Sequence, residues 1–257
     1  MRHKITLFAV LLSLSTALVA QENDKWTAWG PSNLKNSGWI VRVGFVIGGT
    51  SPLPVPPEIR SINSFEPLGG ITFGADYYQM FSRRFGIQAG VHFFHEGFST
   101  NANVKNYRMG ITQGNNYMEG NFTGVDITNT TQTGITVPLT ATLRMSPRWN
   151  VSVGPFFSFL AKGTFDGEVT DGHLREGDPT GQKIEITDDN PATYDFSSNM
   201  NHFYWGLEFM FDYKAMKHLN VFGGFDWSLS SIFPKSFETV PFNMYPLYAK
   251  IGVAYRY

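Results

Sequence analysis

The stretch "HFYWGLEFMFDY", His202–Tyr213, decides the fold. Phe203, Trp205, Leu207, Phe209, Phe211 and Tyr213 take every second position; His202, Tyr204, Gly206, Glu208, Met210 and Asp212 lie between them. Side chains of a β-strand alternate between two faces, so this period of two predicts a strand with one apolar and one mixed face. A helix would need its apolar residues at i, i+3 and i+4, and would scatter these rings around its axis.

Working outward, the same alternation returns in Gly38–Gly48, Gly70–Tyr78, Phe85–Phe94, Ile135–Met145, Trp149–Phe159, Leu219–Leu229 and Leu247–Tyr257. Each run is close to the roughly 9–11 residues that a tilted strand needs to cross a bilayer. Short turns at Ser82–Arg84, Ser146–Arg148 and Lys214–His218 alternate with long segments at Gly49–Glu66, Ser99–Thr131, Gly163–Asn201 and Ser231–Tyr245. That rhythm is the one of an up-and-down bacterial barrel, with short periplasmic turns and long outer loops. The expected fold is an all-β, eight-stranded antiparallel transmembrane barrel over residues 38–257, with four long surface loops.

Glycine placement tells which face points in. Gly44, Gly48, Gly74, Gly86, Gly90, Gly154, Gly206, Gly224 and Gly252 all fall on the more polar face. An eight-stranded interior is just wide enough for side chains, so the less bulky face belongs inside. Trp39, Trp149, Phe203, Trp205, Phe209, Phe211, Tyr213, Trp227, Tyr255 and Tyr257 are then expected to face lipid, the outermost of them forming interfacial girdles. A soluble barrel or sandwich would show the opposite distribution of bulk. The last strand carries Ile251, Val253, Tyr255 and Tyr257 on one face, resembling the C-terminal signal read by barrel assembly machinery.

The N-terminus reads as an export signal over residues 1–20, with Arg2, His3 and Lys4 before the apolar run Ile5–Val19 and a cleavage point after Ala20. Residues 21–37 form a polar periplasmic lead. The 257 residues contain no Cys, which excludes disulfides, thiolate metal sites and a lipid-modified cysteine. Loss of Arg2 and Lys4 leaves 18 basic against 21 acidic residues, a net charge of −3 with no nucleic-acid footprint.

On the inward face Arg42, Arg144, Lys162, Lys250 and Arg256 oppose Asp76, Glu96, Glu208, Asp212 and Asp226. Charges in a confined lumen are costly alone and tolerable in pairs, so this set reads as a salt-bridge plug; a narrow path for ions or small solutes is the other reading. Counting along the last two strands puts Asp226 and Lys250 at one height. His92 and Glu96 share a face, and with His202 could meet in the upper lumen as a metal or acid–base site, though satisfied lumen polars are the simpler reading. Segment 163–201 holds nine acids against Arg175 and Lys183. Its "DGEVTDG" (Asp166–Gly172) has Asp171 where a calcium loop needs glycine, so a solvated, repulsive loop is expected rather than a calcium site. No metal, cofactor or catalytic residue is assigned.

The hairpin "ITVPLTATLRMSPRWNVSVGPFFSFLAKG" (Ile135–Gly163), the run "YDFSSNMNHFYWGLEFMFDY" (Tyr194–Tyr213) and the terminal "AKIGVAYRY" resemble the PorT-like outer-membrane β-barrel proteins of Bacteroidetes-type Gram-negative bacteria. The resemblance implies an eight-stranded outer-membrane barrel, and its namesake is associated with protein secretion across the outer membrane. It carries over no functional residue, since that family has no catalytic motif. The expected function is a non-enzymatic scaffold, adhesion or secretion-accessory role through the long loops. The partners would be outer-membrane lipid, the assembly machinery and a surface or secretion-system protein. A lipid- or lipopolysaccharide-modifying enzyme and a small-solute channel are the alternatives.

Overall fold

The computed structural model describes residues 36–114, 116–178, 180–237, 239 and 242–257. The expected export signal and nearly all of the polar lead lie outside them. The strands are β1 (Ser37–Pro52), β2 (Ile59–Pro67), β3 (Gly70–Met80), β4 (Phe85–Gln113), β5 (Asn116–Arg144) and β6 (Trp149–Glu176). They continue with β7 (Lys183–Ile186), β8 (Ala192–Asp195), β9 (Phe203–Lys214), β10 (Leu219–Ser228) and β11 (Met244–Arg256).

Eight of them form a ring: β1, β3, β4, β5, β6, β9, β10 and β11, each antiparallel to the next. The ring closes where β11 returns to β1, with Ile40 opposite Arg256 and Pro52 opposite Met244. Closure removes the unpaired edges that lipid could not satisfy. Two of the short turns share one device. Ser82 Oγ accepts from the Phe85 amide at 2.9 Å, and Ser146 Oγ accepts from the Trp149 amide at 3.1 Å. A serine hydroxyl bonding its own turn backbone fixes such a reversal.

The other end departs from the expected loops. Ser99–Thr131 is the continuation of the β4–β5 hairpin, which pairs from Phe85–Leu143 up to Gln113–Asn116. At 29 residues each, β4 and β5 run far past the roughly 9–11 needed to cross a bilayer. Gly163–Asn201 is also mostly strand: β6 continues to Glu176, and β7 and β8 fold back onto it. Within Gly49–Glu66, β2 pairs with the upper part of β4 from Pro67–Phe98 to Ile59–Val104. β8 also bridges to β4 at Thr193–Thr112, drawing the sheet together above the ring. Within Ser231–Tyr245, Ile232 and Phe233 pack into the core and β11 begins at Met244. The polar composition of these segments belongs largely to their outward face; their inward face carries an apolar core beside buried polar residues such as Asp126, Thr128 and Thr130.

The interior is layered. At the short-turn end Ile40, Tyr78, Met80, Met210, Phe222 and Ala254 form a small apolar cluster. Beyond the ring, Val104, Met109, Ile111, Phe122, Val169 and Leu174 belong to a larger core, into which the loop residues Ile232 and Phe233 also pack. Between the two lies the polar tier.

Candidate functional site: the charged lumen

Arg42 on β1 spans the lumen. Its Nε donates to Asp76 Oδ2 at 2.7 Å on neighbouring β3, and Nη1 and Nη2 donate to the Asp212 carboxylate at 2.5 and 3.0 Å on distant β9. The guanidinium also stands over the Phe222 ring, 5.2 Å from its centre. His92 Nε2 lies 2.9 Å from Asp76 Oδ1, so both oxygens of Asp76 are engaged. A second group sits farther from the short turns, on β9, β10 and β11. Lys250 Nζ on β11 contacts Asp226 of β10 and lies 3.1 Å from Glu208 Oε2 of β9. Arg42, Asp76, His92, Glu208, Asp212, Asp226 and Lys250 are all buried. Two cations that each bridge two carboxylates offset the desolvation that a lone lumen charge would suffer.

The remaining expected lumen residues divide. Glu96 is buried and lines a narrow space of about 10 Å³ together with His92, Asp226, Lys250, Tyr204 and Tyr248. That is room for about one water. Arg144 is buried near the short turns, its Nη1 3.5 Å from the Arg83 carbonyl, and Arg256 stands over the Tyr78 ring at 4.6 Å. Lys162 corrects the expectation: it is exposed. A bulge makes the β5–β6 register jump from Thr133–Lys162 to Gly134–Leu160, and the extra residue Ala161 reverses which face Lys162 takes. The His92, Glu96 and His202 constellation does not form either. His202 points outward with Nδ1 3.3 Å from the Leu160 carbonyl, while His92 is committed to Asp76. Among the described residues no group of three His, Asp or Glu could hold a metal ion.

The outer wall of the ring is apolar. Trp39, Trp149, Phe203, Trp205, Phe211, Trp227, Tyr255 and Tyr257 are exposed, and Phe209 and Tyr213 share their face, partly covered by neighbours. Trp39–Tyr77, Trp149–Tyr213 and Tyr255–Tyr257 pack as ring pairs at 5.4, 4.9 and 4.8 Å near the short turns. Phe159–Phe203 at 5.2 Å marks the other rim. Bulky apolar side chains outside a closed ring, with ion pairs inside it, suit a wall surrounded by lipid. A family model described as the outer membrane protein beta-barrel domain matches residues 19–234.

The chain belongs to that family.

No curated protein matches the chain. Among solved structures it is similar to Ail, the attachment invasion locus protein of Yersinia pestis. Identity is 8% and the TM-score 0.38, covering 87% of this chain and 100% of that one. It is also similar to the outer membrane protein OprG from Pseudomonas aeruginosa, with 14% identity, a TM-score of 0.30, and coverage of 87% and 97%. For a member of the outer-membrane barrel family, the part that the eight-strand pattern leaves out is the long extension of β4, β5 and β6.

Proposed function

We propose that this outer-membrane barrel is non-enzymatic and non-conducting, and that its ring is a closed pedestal for the β-extension, which does the binding. The observation that carries this reading is the filled lumen: Arg42 and Lys250 tie together side chains from β1, β3, β9, β10 and β11. An apolar cluster lies on one side of them and an apolar core on the other. Short turns face the periplasm in barrels of this kind, which puts the extension outside the cell. Its core makes it a shaped surface rather than a set of loops. Export by the signal over residues 1–20, assembly through the barrel machinery, and work beside a surface or secretion-system protein, as the PorT-like resemblance suggests, belong to the same proposal.

Conductance tests it. The mature protein reconstituted in planar bilayers should pass little steady current. Large, stable single-channel currents would overturn the pedestal and put a small-solute channel in its place.

A further inference from the structure

We propose that the extension binds a compact organic cation, an amine or ammonium on an apolar body, in a cavity whose anionic group is Asp126. The cavity measures about 370 Å³ and lies between the tops of β1 and β11, strand β2, and the inward faces of β4, β5 and β8. That is within the range of small-molecule sites, which are mostly apolar with a few placed polar groups. Phe98, Tyr107, Phe165, Tyr194 and Phe196 contribute aromatic walls, and Ile62 and Phe65 of β2 form an exposed lip. The walls are braced by their own contacts: Tyr194 stacks on Phe196 at 5.0 Å and Tyr107 on Phe242 at 5.6 Å.

Asp126 is the unusual member. It is 8% exposed, and Oδ1 accepts from the Tyr194 hydroxyl at 2.8 Å, with Thr128 Oγ1 2.7 Å from that same hydroxyl. Every hydrogen-bonding neighbour is neutral. Asp76, Asp212, Glu208 and Asp226 each meet Arg42 or Lys250, whereas among the described residues Asp126 has no cation beside it. Burial therefore pushes its carboxyl up to about 6, the hydroxyls of Tyr194 and Thr128 offsetting only part of the cost. An asparagine could accept the same hydrogen bond without that cost. A carboxylate kept in an aromatic cavity suits a ligand that supplies the missing positive charge, since ring faces and an anion both attract ammonium groups. The surroundings favour the same sign. Segment 163–201, which includes β7 and β8, carries nine acids against two bases, and Asp166 faces Asp195 directly across the β6–β8 pair. Such a field raises the local concentration of cations.

This inference rests on reading the extension as the binding part and not on the closed lumen, so conductance and ligand binding fail independently. The test is calorimetric titration of the mature protein in lipid nanodiscs at pH 8. The ligands are 1-adamantylamine and its neutral isostere 1-adamantanol, with empty nanodiscs subtracted for partitioning. The amine should bind the wild type at least about tenfold more tightly than the alcohol. Asp126→Asn should bring the amine down to the level of the alcohol while leaving alcohol binding unchanged, which also reports an intact cavity. Equal affinities for the two ligands, no binding of either above empty nanodiscs, or unchanged amine affinity in Asp126→Asn would each overturn the proposal. The wild-type comparison decides alone if the variant does not fold.

Discussion

The ring and the extension share three strands, β4, β5 and β6, yet the faces of these strands change polarity on the way from one to the other. Along the ring part of β5, Ile135, Leu139 and Ala141 point outward while Thr136, Thr140, Thr142 and Arg144 are buried. Farther up the same strand, Asn129, Thr131 and Thr133 take the outer face; the inner face stays polar through Gln132, Thr130, Thr128 and Asp126 and turns apolar at Phe122 and Met118. On β4 the inner face changes from Gln88 and His92 to Val104, Met109 and Ile111. The outer change falls between Thr133 and Ile135, where His95 Nδ1 meets Thr133 Oγ1 at 2.8 Å. The β4–β5 ladder runs through this boundary unbroken, while on the other side of β5 the bulge opposite Thr133 and Gly134 sits at it. Lipid outside requires an apolar wall and allows a polar interior, whereas water outside allows a polar wall and leaves the extension to be held by the apolar core within it. One hairpin therefore records where the membrane ends.

The largest effect is expected in the ring interior. Lys250→Met leaves Glu208 and Asp226 facing each other without their cation, a change that commonly costs about 3–5 kcal/mol. Adding Asp226→Asn should recover part of that loss, as a double-mutant cycle in urea-driven unfolding from liposomes would measure. Additive losses would mean the two side chains do not interact.

A charge on the outer face should cost according to height. Leu139→Arg lies within the apolar band, where arginine costs about 2–4 kcal/mol at mid-bilayer. Thr131→Arg, on the same strand and face but past the boundary, should change stability by less than about 1 kcal/mol. Equal costs at the two positions would remove the boundary from between them.

A smaller effect is expected at Asp126 and depends on pH. An acid whose folded pKa stands at about 6, above its ordinary value near 4, binds more protons folded than unfolded between those limits. Stability of the extension therefore falls as pH rises from about 4 to about 6 and stays lower above that, by up to about 3 kcal/mol. The titratable groups acting on Asp126 are Tyr107 of β4 and Tyr194 of β8. Burial, and then the charge of Asp126, push their hydroxyls well above the usual tyrosine range, and Glu58 adds to that shift at Tyr107. Neither tyrosine titrates in this window. Asp126→Asn should flatten this dependence and make the extension more protease-resistant at pH 8, while leaving resistance at pH 4 nearly unchanged. A steeper dependence in the variant would reverse the assigned sign.

The ring was legible in the sequence because its signal is local and unbroken. Phe203–Tyr213 and Leu247–Tyr257 alternate without a slip, and turns such as Ser82–Arg84 and Ser146–Arg148 are short. The extension was not, because bulges change the parity of its strands. Asn106, at φ 56°, breaks the β4–β5 register between Val104 and Tyr107, and Gly124 lies in the break between Thr123 and Val125. Val104 and Tyr107 share the inward face at a spacing of three, so a period-two reading loses the strand there. The bulge at Ala161 has the same consequence at Lys162. Asp226 and Lys250 sit on unbroken strands; counting puts them at one height, and they do pair, although the register sets Asp226 opposite Tyr248 and Lys250 opposite Gly224, so the contact is diagonal. Asp126 carried no such signal, because its importance depends on the absence of a neighbouring cation, which only the packing reveals.

The long segments beyond the ring form a folded β-extension in water rather than surface loops. Hydrogen–deuterium exchange of the full mature protein in lipid nanodiscs tests it most directly. Amides of Val104–Ile111 on β4, Met118–Thr130 on β5 and Gly167–Leu174 on β6 should exchange slowly wherever they pair across the sheet, with bulge residues such as Asn106 faster than their neighbours. Complete exchange of all three segments within seconds, with the ring strands still protected, would contradict the account.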